Sequence, residues 1–217
     1  MIEIFYKVLA AYLIGNLMGG QLIGKLRGGV DLRQVGSGNV GATNALRTQG
    51  KGFAAAVLLI DIFKGVGAVT FLPAVQWSWA GATDLPHAAQ AYLCGIAVAV
   101  GHCYPVFYRF KGGKGVATLA GVFGTLLTPA LIWILPVFVL VILLTGYVSL
   151  ATLAASFTAF LYVACLSGSG IFSDASAFTL AMCALVAWKH RENIGRLLHG
   201  TESRFEKARV VGRWLSR

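Results

Sequence analysis

The run VATLAGVFGTLLTPALIWILPVFVLVILLT, Val116 to Thr145, decides the fold. It is apolar almost throughout and about thirty residues long, whereas an α-helix needs only about twenty to cross 30 Å of hydrocarbon. Thr128-Pro129 interrupts it, and proline disfavours helix continuation because it lacks an N–H and crowds the preceding turn. The run therefore reads as two helices, 116–127 and 130–145, each short enough to tilt or to insert only in part. Other apolar runs predict helices over 2–24, 53–73, 88–108, 150–167 and 175–189. The expectation is an all-α, polytopic membrane protein with seven transmembrane helices, the N-terminus outside and the C-terminus cytoplasmic.

Charge sets the orientation. With seven crossings the segments 25–52, 109–115 and 189–217 share one side, and they hold sixteen of the eighteen Lys and Arg residues. The opposite loops, near 74–87 and 168–174, carry only Asp84 and Asp174 as charges. Lys and Arg in short loops mark the cytoplasmic face. Merging the two helices around Pro129 would export the basic tail and break that rule.

Composition requires the same solvent. The 217 residues are 57% hydrophobic and 12% charged, with a mean hydropathy of +0.74, against about 25% charged in soluble domains. The net charge of +10 does not describe a nucleic-acid binder, because the basic residues fall between apolar spans instead of forming one soluble face. Ile4 to Gly24 lacks a convincing small-residue cleavage site and reads as a retained helix, not a signal peptide. Cys94, Cys103, Cys165 and Cys183 occur singly in or at the ends of apolar runs, without metal or CxxC spacing, and read as small buried hydrophobes. Cys103 beside His102 is poorly placed as a nucleophile and base, since helix neighbours point about 100° apart.

Three polar segments carry the chemistry: 36–52, 109–118 and 190–202. The first, GSGNVGATNALRTQGKG, sets Ser37, Asn39, Thr43 and Asn44 among Gly36, Gly38, Gly41 and Gly50, a loop whose backbone amides can turn toward an anion. Arg47 adds a planar charged fork for phosphate oxygens. GSGNVG matches the dinucleotide fingerprint formally, but no strand precedes it.

The second, RFKGGKGVAT, places Arg109, Lys111 and Lys114 among Gly112, Gly113 and Gly115 ahead of an apolar helix, whose N-terminus adds partial positive charge. It is not a nucleotide P-loop, because Lys114 is followed by Gly115 and not by Ser or Thr. A purely basic anchor at the membrane surface would have no need of the glycines. The third, HRENIGRLLHGTE, puts His190 and Asn193 at i, i+3 with Arg196 three further on, a line of imidazole, amide and guanidinium. An amphipathic interfacial helix with Leu197 and Leu198 in lipid is the competing reading of that spacing.

The segments offer many donors to phosphate and no Ser-His-Asp order or metal-ligand spacing; no metal and no cofactor is expected. Asp61 and Lys64, at i, i+3 within the second apolar run, read either as a structural ion pair or as part of the site.

Five runs in order resemble the PlsY family, the bacterial glycerol-3-phosphate acyltransferases that use an acyl phosphate donor: SGNVGATN with Arg47, DIFKG at Asp61, GHCYPVFYRFKGGKGVAT from Gly101, YVSL at Tyr147, and HRENIGRLLHGTE. The resemblance covers nearly the whole chain, 1–217, as a single integral membrane acyltransferase domain. It implies transfer of a fatty acyl group from acyl phosphate to the 1-hydroxyl of sn-glycerol 3-phosphate, giving 1-acylglycerol 3-phosphate (lysophosphatidic acid) and phosphate, the first acylation of phospholipid synthesis. By the same resemblance Ser37, Arg47, His190 and Asn193 are expected to be catalytic. Asn39, Gly41, Thr43, Asn44, Gly112, Gly113, Lys114, Gly115, Ser149 and Thr152 are expected to bind substrate, and Glu202 to support structure. The family often has serine where Thr152 stands, and threonine keeps the hydroxyl.

The His-x-x-x-x-Asp motif of the other acyltransferase superfamily is missing, as none of His87, His102, His190 and His199 has Asp five positions on. Implied partners are the two substrates and a lipid bilayer, with no nucleic acid and no obligate protein partner. The implied location is the bacterial inner membrane with the site on the cytoplasmic face. The tail with Trp214 and Leu215 reads as an interfacial anchor. An organic-phosphate transporter, expected to use broken helices near the midplane, and a membrane lipid phosphatase are the rival functions.

Overall fold

A computed structural model of the chain describes residues 2–77, 81, 83–206 and 208–215, the side chains of 212, 213 and 215 excepted. Residue 80, within the 74–87 loop expected on the outer side, lies outside the described residues, as does the side chain of Leu215. Every regular element among the described residues is helical. Two compact units divide the chain, Met1–Leu127 and Thr128–Arg217.

The first unit holds α1 (Ile2–Gly15), α2 (Gly19–Leu26), α3 (Ala42–Thr48), α4 (Lys51–Ala74), α5 (His87–Cys103) and α6 (Val116–Leu126). α1 packs on α5, and α4 on both α5 and α6. The α1–α5 and α4–α6 crossings rest on small residues, as lipid-embedded helices do when backbones must approach closely. A Cβ on Gly15 would strike Gly101 of α5, and one on Gly121 would strike the Ile62 carbonyl of α4. The second unit holds α7 (Leu131–Thr145), α8 (Val148–Leu161) running into a π-turn at Tyr162–Leu166, α9 (Asp174–Lys189), α10 (Arg191–Leu198) and α11 (Val210–Leu215). α8 packs on α7 and α9.

Among the described residues, four helical stretches are long and apolar enough to cross a membrane: Lys51–Ala74, His87–Tyr108, Thr128–Thr145 and Val148–Leu166. The bent pair α1 and α2 makes a fifth if it counts as one span. This is the architecture of a polytopic membrane protein. α6, at 11 residues, is apolar but short.

Two features depart from the sequence reading. The first run is not one helix over 2–24: α1 stops at Gly15, α2 starts at Gly19, and the two axes differ by 46°. Asn16 turns its amide back onto the Tyr12 carbonyl at 2.6 Å, and the backbone groups freed at the break find partners on α4, described below. The stretch 25–52 is also more than loop, since it contains a 3-10 turn at Leu32–Gln34 and the helix α3. Leu32 and Ala45 from these elements pack with Phe53, Ala54 and Val57 of α4 into one core, so the polar loop between them stands on a rigid base.

Candidate functional site

Asn44 organises the first segment. It is 2% exposed, and its Nδ2 donates to the carbonyls of Leu32, Val35 and Asn39 at 3.1, 2.9 and 2.8 Å. Its Oδ1 accepts the Ser37 backbone N–H at 2.9 Å. The side chain thus spends its donors and its acceptor on the loop, so any influence of Asn44 on a bound anion runs through the loop's shape. Gly36 and Gly38 take φ of 59° and 70°, a region that glycine enters without steric cost. Ser37 and Arg47 are exposed, Asn39, Gly41 and Thr43 half-buried. Upstream, Asp31 accepts from Gln21 at 2.8 Å and from Arg33 at 2.7 Å, and Arg33 lies 5.7 Å from the centre of the Tyr108 ring. The Arg33 hydrogen bond, with Gln21 assisting, holds the Asp31 carboxyl well below the usual range.

The second segment is seated on the end of α5. Pro105 ends that helix, and Arg109 and Phe110 follow with φ of 55° and 60°, a left-handed pair uncommon outside glycine. The Gly113 N–H donates to the His102 carbonyl at 3.1 Å. A Cβ on Gly112 would meet the His102 carbonyl oxygen and Pro105, one on Gly113 the His102 ring, and one on Gly115 the Cys103 Sγ at 3.1 Å. The glycines therefore serve first to let the loop lie against α5. Gly115, with φ of 79°, also caps α6.

Beneath this loop, Lys64 Nζ donates to Asp61 Oδ1 at 2.7 Å, to the Leu17 carbonyl at 2.9 Å and to His102 Nδ1 at 2.6 Å. Asp61 Oδ1 accepts the Gly19 N–H at 3.2 Å. Lys64 thus meets the carbonyl end of α1 and Asp61 the amide end of α2, each charge facing the opposite pole of a half-helix. The break in the first span, the feature a transporter would need, is filled by this pair.

In the second unit, His190 joins α9 to α10 and is 3% exposed. Its Nδ1 lies 2.8 Å from the Val186 carbonyl. A carbonyl only accepts, so Nδ1 carries the proton and the neutral ring has its lone pair on Nε2. Asn193 sits in the first turn of α10 and Ser149 in the first turn of α8, and Glu202 ties them together. Its Oε1 accepts from Ser149 Oγ and its Oε2 from Arg196 Nε, at 2.8 and 2.7 Å. Gly200, with φ of 69°, turns the chain so that Glu202 faces back onto α10. Thr152 Oγ1 donates to the Val148 carbonyl at 2.9 Å. Leu198, by contrast, is 81% exposed.

The residues singled out in the sequence thus gather in three groups: the loop around Asn44 with α3, the glycines on the end of α5, and Ser149 with Asn193 on Glu202. Reading by segment passes over His102, whose signal is an ionisable group at the end of an apolar span.

Residues 5–200 match the family of glycerol-3-phosphate acyltransferases. The chain is 40% identical over 200 residues to a glycerol-3-phosphate acyltransferase of Aquifex aeolicus, covering 92% of this chain and 98% of that protein. It is 43% identical over 202 residues to one of Thermus thermophilus, covering 92% and 94%. It superposes with a TM-score of 0.79 at 36% identity, over 93% of this chain and 95% of the other, on a crystal structure of PlsY, an integral membrane glycerol 3-phosphate acyltransferase, in its glycerol 3-phosphate form. The lysophosphatidic acid form of PlsY gives the same TM-score at 35% identity, over 96% and 98%.

Proposed function

The chain belongs to the glycerol-3-phosphate acyltransferase family, and we propose on that premise that its donor is an acyl phosphate and its product 1-acylglycerol 3-phosphate. The 1-hydroxyl oxygen of glycerol 3-phosphate bonds to the acyl carbon, the bond from that carbon to the donor's phosphate oxygen breaks, and inorganic phosphate leaves. The hydroxyl proton passes to His190 Nε2. An acyl phosphate is a mixed anhydride with a good leaving group, so positioning and charge stabilisation supply most of the acceleration. Arg47 and Ser37 hold phosphate oxygens, with Asn39, Gly41 and Thr43 in the same loop and Asn44 fixing its shape. Gly112, Gly113, Lys114 and Gly115 bind the acceptor phosphate. Asn193 orients the reacting groups, beside Ser149 and Thr152.

The observation that carries this reading is the hydrogen bond from His190 Nδ1 to the Val186 carbonyl, because it sets the tautomer that a general base requires. We further propose one acyltransferase domain over 1–217 in the bacterial inner membrane, with seven crossings, the N-terminus outside and the polar segments cytoplasmic; the distribution of Lys and Arg supports it.

The test is acyl transfer to labelled glycerol 3-phosphate by the purified protein, with acyl phosphate, acyl-CoA and acyl carrier protein thioester compared as donors. Turnover with acyl phosphate alone is expected. Turnover with the thioesters and none with acyl phosphate would overturn the donor.

A further inference from the structure

Lys64 has three ammonium protons and three partners, the Leu17 carbonyl, Asp61 Oδ1 and His102 Nδ1. The first two close the break between α1 and α2. The third does something else, because it fixes the imidazole on which the second polar segment rests. All three side chains are buried, where an ionic cluster costs desolvation that apolar residues of similar volume would avoid.

We propose that Lys64, Asp61 and His102 are positioning residues for the acceptor: they set the plane of the His102 ring and thereby where the Gly112–Gly115 backbone meets the phosphate of glycerol 3-phosphate. This rests on the reading of that segment as the acceptor site. The loop has little freedom of its own on this side. The Gly113 N–H is held by the His102 carbonyl, Gly113 lies on the ring, and Gly112 and Gly115 abut Pro105 and Cys103. A tilt of the imidazole therefore moves the loop. With Nδ1 accepting from Lys64, the neutral ring carries its proton on Nε2, the atom facing Gly113, and a half-turn of the ring would set the Cδ2 C–H, which accepts nothing, against the ammonium.

The experiment compares three variants by steady-state kinetics and by the Tm shift that glycerol 3-phosphate produces. Asp61→Asn with Lys64→Met removes both buried charges together, since either change alone would strand the other. His102→Gln removes the acceptor facing Lys64 and leaves the α1–α2 splice intact. Gly113→Ala reports on the loop itself. The first two variants are expected to raise the KM for glycerol 3-phosphate about tenfold, with kcat and the donor KM held within about threefold, and to shrink the Tm shift. A purely structural role would lower Tm without that split. If Gly113→Ala raises the acceptor KM while His102→Gln and the double variant leave it unchanged, the positioning role is wrong and the acceptor site stands. If Gly113→Ala raises only the donor KM, the assignment of the segment itself falls. Should the double variant fail to fold, His102→Gln decides alone.

Discussion

Glu202 Oε1 accepts a hydrogen bond from the Asn193 side-chain amide at 2.5 Å. With Ser149 on the same oxygen and Arg196 on the other, one carboxylate fixes three side chains drawn from α8 and α10. Burial alone would raise its pKa, but the donors from Asn193, Arg196 and Ser149 outweigh burial and hold it below the ordinary glutamate value.

Glu202→Gln replaces an acceptor with an NH2 that must face one of these donors. We expect a loss of about 1–3 kcal/mol, read as a lower Tm in detergent, together with reduced kcat as Asn193 loosens. Because the folded pKa lies below the unfolded one, the carboxylate's contribution is complete above the ordinary glutamate range and fades as pH falls through the depressed value. The Tm advantage of wild type over the variant should therefore shrink below about pH 4. An advantage that persists undiminished into acid would contradict an ionised Glu202.

Asn44→Ala strands the Ser37 N–H and the Leu32 and Asn39 carbonyls, while the Val35 carbonyl keeps the Gly38 N–H, and water entering the loop relieves only part of that. The expected cost is about 3 kcal/mol, with faster hydrogen exchange across residues 32–44 and lost turnover. Unchanged exchange there would mean that the core beneath, from Leu32 to Val57, shapes the loop without Asn44.

The break at Thr128-Pro129 is legible in the sequence because proline acts locally. The break at Asn16 is less so, since Gly15-Asn16 and Gly19-Gly20-Gln21 are its only local signals and a membrane helix tolerates both. It exists because Asp61 and Lys64, 42 and 47 residues beyond their backbone partners, satisfy the groups it exposes. α3 is hidden for a similar reason: seven residues in a glycine-rich run hold as a helix by packing on α4, which a short polar window cannot register. In the site, glycine and cation spacing mark the segments as anion-binding. They do not show which polar group faces a ligand and which faces the chain. Asn44 reads as a ligand group by type and proves to be spent on the loop, and His102 reads as a mere neighbour of Cys103 although it carries the second segment.

Arg47→Lys keeps the charge but loses the planar fork, so one of two parallel hydrogen bonds to a phosphate goes. Arg47 is exposed in the last turn of α3, and the fold should be untouched. Activity should fall on the order of a hundredfold at unchanged Tm. Turnover near wild type would remove Arg47 from the reaction.

Orientation is open to labelling. With the four native cysteines replaced, single cysteines at positions 35, 111 and 205 should resist a membrane-impermeant maleimide in intact cells, and one at position 84 should react. Labelling at 111, exposed beside the tightly seated glycines, from outside would overturn the argument from positive charge.

His190 separates two routes for the proton. His190→Ala removes a buried ring and its Nδ1 hydrogen bond to the Val186 carbonyl, which keeps only the backbone N–H of residue 190, and so mixes lost chemistry with lost packing. His190→Asn is cleaner, because its amide nitrogen falls where Nδ1 was and can still donate to Val186, while nothing replaces the lone pair on Nε2. If Nε2 takes the proton from the acceptor hydroxyl, His190→Asn should keep its Tm and both KM values and lose about 10²–10⁴ in kcat, the usual contribution of a general base. If kcat survives, the base is elsewhere, and the donor's own phosphate oxygen is the acceptor already in place.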